Sequence, residues 1–337
     1  MTSELITFLQ KEVLHNNVFL DNDYKYLKNI FETIIINHLS SNYWNTLTKT
    51  EQHNLIKHLT NSSCALSILI MNSIVVYKVV DYFQISFSNK FIDIKDILYK
   101  TTFIKYGSNS INYDNDIFLL NGEIKYFIGY GLFDYVILSF IFNDYEYFSL
   151  ISINELLNHS TIIKHDLIVC NSLNMISFKL KDLKISKDKV ICKYDLNKPL
   201  LFHTSLINSS SMIIGQINKV LHLINENNSK LTQPNITDCY LTLLKKLQQL
   251  EQDYLLNTDY NRVLAITNEL NILGANCILF VEQIWRSLLI FKTNNIYQIK
   301  KEMTLLRVIN IDLFGSMVSK NLTSDIEKNL IKYLLEN

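Results

Sequence analysis

The stretch that decides the fold is residues 116–138, which reads DIFLLNGEIKYFIGYGLFDYVIL. Four of the chain's seven glycines lie between Gly107 and Gly131. Where glycine is this scarce, such clustering marks tight turns and close backbone approach. The stretch predicts, in order, a strand ending near Leu120, a turn at Asn121-Gly122, a second strand through Ile128, a loop at Gly129-Tyr130-Gly131 and a third strand from Tyr135 to Phe142. We therefore expect a compact antiparallel β unit in an otherwise helical chain.

The composition is that of a globular protein large enough for two or three structural units. The chain has 337 residues, of which 48% are hydrophobic, and it can bury a sizeable core. Its 32 basic and 32 acidic residues cancel, and no Lys/Arg run is interleaved with aromatic residues. Nucleic acid is therefore not an expected partner.

The cysteines and the apolar stretches bear on the compartment. The five cysteines are odd in number and widely spaced, with no C-x-x-C pair, which predicts reduced thiols and neither a disulfide framework nor a metal site. The N-terminus lacks the pattern of a signal peptide. The longest apolar stretch, residues 65–80, is interrupted by polar residues and predicts a buried helix and no membrane span. We expect a cytoplasmic protein.

Residue spacing divides the chain into three predicted domains of an α+β fold. Residues 1–98 show the three- and four-residue apolar spacing of helices and form an N-terminal helical domain. Residues 99–196 contain short β-branched and aromatic runs separated by turns, which predict a central antiparallel β-barrel or sandwich. Residues 197–337 return to helical spacing. Their four long segments, near 201–226, 235–256, 259–291 and 297–314, predict a C-terminal four-helix bundle.

This order of domains, together with Asn121, Gly122 and Asp134, resembles the acyl-CoA dehydrogenase family, in a divergent and shortened form. The family carries Leu-Asn-Gly, a flavin-facing strand and Ala-Asp at this spacing. Residues 178–185 look like the last β segment before the bundle, Gly215 lies where the first bundle helix packs closely, and Arg307 matches a late arginine. The resemblance covers nearly the whole chain from about residue 50.

The resemblance implies FAD, bound between the β domain and the bundle, and oxidation of an acyl thioester carried by CoA or by a carrier protein. It also implies a homodimer or homotetramer, or a hetero-oligomer. The protein would position the thioester and supply a base. The residues that the resemblance assigns to the cofactor are Ser108, Ser110, Phe127, Ile128, Gly129, Lys230, Lys292, Thr293 and Asn295.

Several positions depart from the family pattern. Ile128 stands where the family has a Thr or Ser that contacts the flavin ring, and an apolar side chain makes no such hydrogen bond. The family's glutamate base matches Phe314 in one arrangement and falls near His222 in the other. His222 is thus the one catalytic candidate, since imidazole titrates near neutral pH. Its alternative interpretation is a polar residue on a bundle helix. His53 and His58, five apart, do not share a helical face and predict no metal pair.

Three functions follow from the resemblance. The first is an acyl-CoA dehydrogenase-like flavoprotein. The second is a non-catalytic partner subunit or scaffold that keeps the fold but has lost the base and the cofactor contacts. The third is a flavin-dependent monooxygenase on the same fold, which needs no glutamate base because oxygen reacts with reduced flavin.

Overall fold

The computed structural model describes residues 2–13, 20, 23–39, 44, 46–83, 100–106, 110–164, 171–196, 204–228, 234–257 and 259–288. Contacts divide the chain into two compact units. The first consists of Met1–Leu47 with Ala65–Thr204, and the second of Thr48–Cys64 with Ser205–Asn337. These units are grouped by contacts in space, whereas the three predicted domains are consecutive stretches of the sequence. The domain boundaries at 98 and 196 stay a prediction.

Helices dominate both ends of the described chain. They are α1 (Thr2–Phe8, continued by a π-helical turn, Leu9–Val13), α2 (Tyr24–Asn37), α3 (Lys49–Ser62), α4 (Cys64–Tyr82), α5 (Ile153–Asn158), α6 (Thr204–Asn228), α7 (Pro234–Leu256) and α8 (Tyr260–Leu288). Their starts follow local chemistry. Asp23 caps α2 by accepting from Lys25 N at 2.8 Å, and Thr48 and Glu51 form a capping box at the start of α3.

The apolar stretch at 65–80 is confirmed as a buried helix. It forms α4, which is 19 residues long, and 83% of its most apolar window is buried inside the protein. By length and composition this helix could cross a membrane, so the interrupting polar residues do not decide the question. Its burial is that of a core helix of a globular protein, which is covered by its own chain.

Within the described residues of the first unit, eight strands form two four-stranded sheets. They are β1 (Thr101–Lys105), β2 (Ser110–Asp114), β3 (Ile117–Phe127), β4 (Tyr135–Phe142), β5 (Tyr145–Ser152), β6 (Ser160–Lys164), β7 (Ile176–Ser186) and β8 (Val190–Asp195). The orders are β1-β4-β5-β8 and β2-β3-β7-β6. The predicted antiparallel pairing is corrected at one place, because β1 and β4 run parallel.

The two sheets enclose a common core. Phe118, Leu120 and Phe178 from one sheet pack with Val136 and Phe140 from the other. On the opposite face of the β1-β4-β5-β8 sheet, Ile137 and Phe148 pack against the valines of α4. The alternation of Val136 and Ile137 between these cores is the two-residue period of a strand. The predicted sandwich with helices before and after it is therefore observed.

Two predictions in the β region were wrong in detail. Asn121-Gly122 is not a turn, because β3 continues through it as a bulge, with the pairing to β7 shifting between Leu120 and Gly122. The hairpin turn lies instead at Asn115-Asp116, whose φ angles are 48° and 60°. Residues 178–185 lie in β7, and β8 follows them, so they are not the last β segment.

The second unit combines α3 with the C-terminal helices. Gly215 on α6 is where the predicted close packing occurs, since a Cβ there would lie 3.0 Å from Thr60 Cβ and 3.2 Å from the Lys57 carbonyl oxygen on α3. The segments predicted near 201–226, 235–256 and 259–291 correspond to α6, α7 and α8. The fourth segment, 297–314, and Arg307 within it lie outside the described residues.

Candidate functional site

The loop between β3 and β4 contains the residues that the resemblance places against a flavin ring. Phe127 ends β3 with its side chain 1% exposed in the sandwich core, where its ring lies edge-on to Phe178 at 5.1 Å between centroids. Ile128 follows, half-buried, and Gly129 is buried. Because the Phe127 side chain is occupied by core packing, only its backbone remains for contact with a ligand.

Hydrogen bonds fasten this loop to the short helical turn Asn171–Leu173 and to Asn174. Gly129 N–H donates to the Leu173 carbonyl oxygen at 2.7 Å, and Tyr130 N–H donates to the Asn174 carbonyl oxygen at 3.3 Å. The Asn174 side-chain amide donates in return to the Tyr130 carbonyl oxygen at 2.6 Å. These backbone groups are thus engaged by the protein itself and hold the loop in one shape.

Both glycines of the loop are required by its conformation. Gly129 has a φ of 78° and Gly131 a φ of 88°, in the left-handed region that favours glycine. A Cβ on Gly129 would lie 2.6 Å from the ring of Phe133 and 3.0 Å from Leu69. A Cβ on Gly131 would lie 2.9 Å from the hydroxyl of Tyr24. The scarce glycines therefore mark close approach, as the sequence predicted.

The bulge at Asn121 is the second polar feature of this region. The Asn121 side chain accepts from Asp182 N–H at 2.8 Å and donates to the Asp182 carboxylate at 3.1 Å. The backbone carbonyl oxygen of Asn121 accepts from the hydroxyls of Tyr106 and, at 3.3 Å, of Ser110. Ser110, predicted to bind cofactor, is exposed at the start of β2 and donates its hydroxyl to this bulge.

The described members of the predicted FAD set do not supply the polar contacts that a flavin ring requires. Ile128 offers an apolar side chain, and the Gly129 N–H is engaged by Leu173. Apolar surface can pack against an aromatic ring system but cannot hydrogen-bond to its heteroatoms. The other predicted cofactor residues, Ser108, Lys230, Lys292, Thr293 and Asn295, lie outside the described residues.

A buried polar cluster in the helical unit was not predicted. We define the histidine cluster as His53 and Lys57 on α3, Ser211 on α6, and Glu251 and Tyr254 on α7. His53 is 0% exposed, with Nδ1 2.9 Å from Ser211 Oγ and Nε2 2.8 Å from Glu251 Oε1. Lys57 Nζ donates to the same Glu251 oxygen at 2.6 Å, and Ser211 Oγ lies 3.2 Å from the Tyr254 hydroxyl.

The electrostatics of the histidine cluster favour an ionised Glu251. Burial opposes ionisation of this carboxyl, but hydrogen bonds from His53 and Lys57 and the charge attraction of the same groups together outweigh it, and the pKa of Glu251 is lowered. Burial raises the pKa of the Tyr254 hydroxyl, which the bond to Ser211 offsets only in part. At the edge of the cluster, burial lowers the pKa of Lys49, whose ammonium donates to the Tyr254 and Asn257 carbonyl oxygens.

The cluster joins a hydroxyl, an imidazole and a carboxylate in the order found in nucleophilic hydrolases. Ser211 and His53 are both fully buried, however, and Ser211 also bonds to Tyr254. A nucleophile must be accessible to its substrate, and the buried Ser211 is not. The histidine cluster therefore serves to join α3, α6 and α7. The sequence does contain a signal for this cluster, because two of its polar residues lie at helical spacing from buried apolar residues. His53 precedes Ile56 by three residues, and Tyr254 follows Leu250 by four.

The remaining candidates are dispersed. His222, the catalytic candidate, lies exposed on α6, three turns beyond Ser211 and outside the histidine cluster. Among the residues that the structure describes, no group of three or more His, Cys, Asp or Glu residues could hold a metal ion. The described structure thus brings together His53, Ser211 and Glu251, which the sequence did not single out as a site.

The fold is that of the acyl-CoA dehydrogenases. Glutaryl-coenzyme A dehydrogenase in its glutaryl-CoA complex superposes with a TM-score of 0.69 over 98% of this chain and 94% of that chain, at 10% identity. Butyryl-CoA dehydrogenase from Megasphaera elsdenii has a TM-score of 0.65, covering 96% and 97% of the two chains at 9% identity. The resemblance seen in the sequence is therefore confirmed at the level of the fold.

Proteins with other activities share this fold. Dibenzothiophene monooxygenase from Paenibacillus sp. A11-2 superposes with a TM-score of 0.60 over 92% of this chain and 91% of that chain, at 10% identity. No protein-family model and no curated protein matches the chain by sequence. At these identities the likeness establishes architecture, and activity must be argued from residues.

Proposed function

We propose that the chain is an acyl-CoA dehydrogenase-like flavoprotein that acts on an acyl thioester carried by CoA or by a carrier protein. The observation that carries the proposal is agreement with acyl-CoA dehydrogenase structures along 96–98% of the chain. Two glycines hold the loop after β3 in a defined shape at the point where the sequence resemblance puts the flavin ring. FAD is the cofactor that this proposal requires.

A second candidate function is supported by a specific observation within that loop. Ile128 stands where the resemblance expects a hydroxyl residue, and the N–H groups of Gly129 and Tyr130 are engaged by Leu173 and Asn174. A protein that has lost its flavin would keep such a loop as a structural element. This supports a non-catalytic subunit or scaffold that retains the fold, in a homo- or hetero-oligomer.

The test is flavin binding by the purified full chain. The proposed flavoprotein, prepared with FAD added to the buffers, should retain the flavin absorbance bands after gel filtration and quench FAD fluorescence on titration. The control is riboflavin, which lacks the phosphates and adenosine of FAD and should bind more weakly. A folded, colourless protein that leaves FAD fluorescence unchanged would overturn the proposal and favour the scaffold.

If the chain retains flavin, activity assays distinguish a dehydrogenase from a monooxygenase. Anaerobic bleaching of the flavin bands by an acyl-CoA series is expected for a dehydrogenase. The similarity to a monooxygenase supports the alternative, in which acyl-CoA leaves the flavin oxidised while NADH with a flavin reductase drives oxygen uptake. We also propose a cytoplasmic location and a homodimeric or homotetrameric state. Sedimentation of the purified chain tests the oligomeric state.

A further inference from the structure

Two cysteines occupy matching positions on neighbouring helices of the second unit. Cys239 lies on α7 and Cys277 on α8, and each is equally distant in sequence from position 258, midway between the end of α7 and the start of α8. In an antiparallel helix pair with a short connection, residues equally far from the turn lie opposite each other. The sequence positions therefore place the two cysteines opposite each other along the axis of the helix pair.

Two ion pairs fix this register independently. Lys246 Nζ on α7 lies 2.9 Å from Glu269 Oε2 on α8, and Asp253 Oδ2 on α7 lies 3.5 Å from the Arg262 guanidinium on α8. Both pairs join residues that are almost equally distant from position 258. Continuing the same register toward the far end of the pair brings Cys239 opposite Cys277.

By spacing, both cysteines also continue the buried stripes of their helices. On α7 the buried positions Leu243, Leu247 and Leu250 repeat at three and four residues, and Cys239 is four residues before the first of them. On α8, Cys277 continues the buried stripe that includes Leu270 and Leu273. Cys277 is fully buried, whereas Cys239 is exposed.

The geometry of packed helices allows these side chains to be bridged. Axes of packed helices lie about 8–10 Å apart and each Cα lies about 2.3 Å from its axis. Facing Cα atoms are therefore separated by about 3.5–5.5 Å, which overlaps the range of about 4.4–6.8 Å found in disulfides. The Cys239 thiol is also near enough to Cys277 to add to the rise in the pKa of Cys277, which burial brings to about 12.

We propose that Cys239 and Cys277 form an oxidisable dithiol, which closes to an intrachain disulfide by reaction with a small-molecule disulfide such as oxidised glutathione. The exposed Cys239 reacts first. Its thiolate attacks one sulfur of the reagent, a mixed disulfide forms, and one thiol is released. The Cys277 thiolate then attacks the Cys239 sulfur and releases the second thiol. Two protein thiols are oxidised and one reagent disulfide is reduced to two thiols.

The consequence is a covalent clamp between the start of α7 and the later part of α8. Burial raises the pKa values of both cysteines, so both thiols are protonated at neutral pH and the reaction is slow unless the pH rises or the helices separate. Intracellular disulfides of this kind are usually transient and respond to redox conditions. The dithiol is thus a modification site that reports oxidation.

The experiment uses the purified full chain incubated with oxidised or reduced glutathione. After oxidation, free thiols counted in denaturant should fall from five to three, because Cys239 and Cys277 have been consumed. Peptide mapping under non-reducing conditions should recover one species that joins the two peptides containing these residues. Cys192→Ser, on the β-sandwich, is the matched control and should form the same bridge.

The single variants test the order of the steps. Cys277→Ser should accumulate a glutathione adduct on Cys239, whereas Cys239→Ser should leave Cys277 without an adduct while the chain is folded, as judged by circular dichroism. The proposal is overturned if the folded wild-type chain keeps five thiols. It is also overturned if glutathione stays on Cys239 unresolved, or if the bridge joins two chains or involves another cysteine.

Discussion

His53 Nε2 on α3 and Glu251 Oε1 on α7 lie 2.8 Å apart, although the two residues are 198 positions apart in sequence. Lys57 reaches the same carboxylate oxygen, so one acidic side chain on α7 serves two groups of α3. His53 is fully buried, and the side chain of Glu251 is 18% exposed. Such a pair stabilises the contact between α3 and α7 only while both partners are present.

Replacing the shared carboxylate should loosen this junction. Glu251→Gln keeps the shape but removes the charge that holds His53 and Lys57, and we expect the free energy of unfolding to fall by about 1–3 kcal/mol. Urea denaturation measures the change. The control is Glu269→Gln, whose partner Lys246 is 43% exposed and for which we expect a change below about 1 kcal/mol. Equal losses in both variants would contradict the assigned role of Glu251.

The same pair should make stability depend on pH. Burial opposes ionisation of Glu251, but the hydrogen bonds and charge attraction of His53 and Lys57 together outweigh burial and lower its pKa from the ordinary value of 4.5. The carboxylate therefore stabilises the fold fully above that ordinary value, and the contribution disappears as pH falls through the lower folded pKa. The difference in urea midpoint between wild type and Glu251→Gln should be large near about pH 5.5 and shrink by about pH 3. A difference that grows on acidification would refute this.

Gly129 should tolerate no side chain. Gly129→Ala introduces a Cβ at a φ of 78° and within 2.6 Å of the Phe133 ring. Left-handed strain and overpacking together should lower the free energy of unfolding by roughly 2–4 kcal/mol. Gly131→Ala is matched in φ, but its Cβ meets the hydroxyl end of Tyr24, which can move. Thermal unfolding should show the smaller loss for Gly131→Ala, and the reverse order would contradict the packing described for Gly129.

A hydroxyl at position 128 should restore a flavin contact if the chain binds FAD. Ile128→Thr adds the group that the acyl-CoA dehydrogenase resemblance expects there, while Ile128→Val has nearly the same shape without it. Since one hydrogen bond contributes about 0.5–1.5 kcal/mol, the Thr variant should bind FAD about 2- to 10-fold more tightly than the Val variant. Fluorescence titration measures both constants. Equal affinities would show that the side chain at position 128 does not contact the flavin, and no binding by either variant would favour the scaffold.

Local patterns predicted most of the β-sandwich and its flanking helices. β4 runs from Tyr135 to Phe142 as predicted, because its run of β-branched and aromatic residues and the turn at Asn143, whose φ is 53°, are encoded within a few residues. The turn predicted at Asn121-Gly122 was wrong for a related reason, since Asn-Gly is a strong local turn signal. The pairing of Leu120 with Leu183 and of Gly122 with Leu180 keeps the strand continuous and makes the pair a bulge.

The sequence by itself determined the α+β architecture, the left-handed glycines after β3 and the resemblance to acyl-CoA dehydrogenases, because periodicity, turn chemistry and short motifs act over short distances along the chain. Only the tertiary structure decided that α3 joins the C-terminal helices and that His53, Ser211 and Glu251 meet. It also decided that Gly129 and Tyr130 donate to the segment at 173–174. These contacts join residues far apart in sequence, and no local preference specifies which distant group satisfies a buried donor or charge.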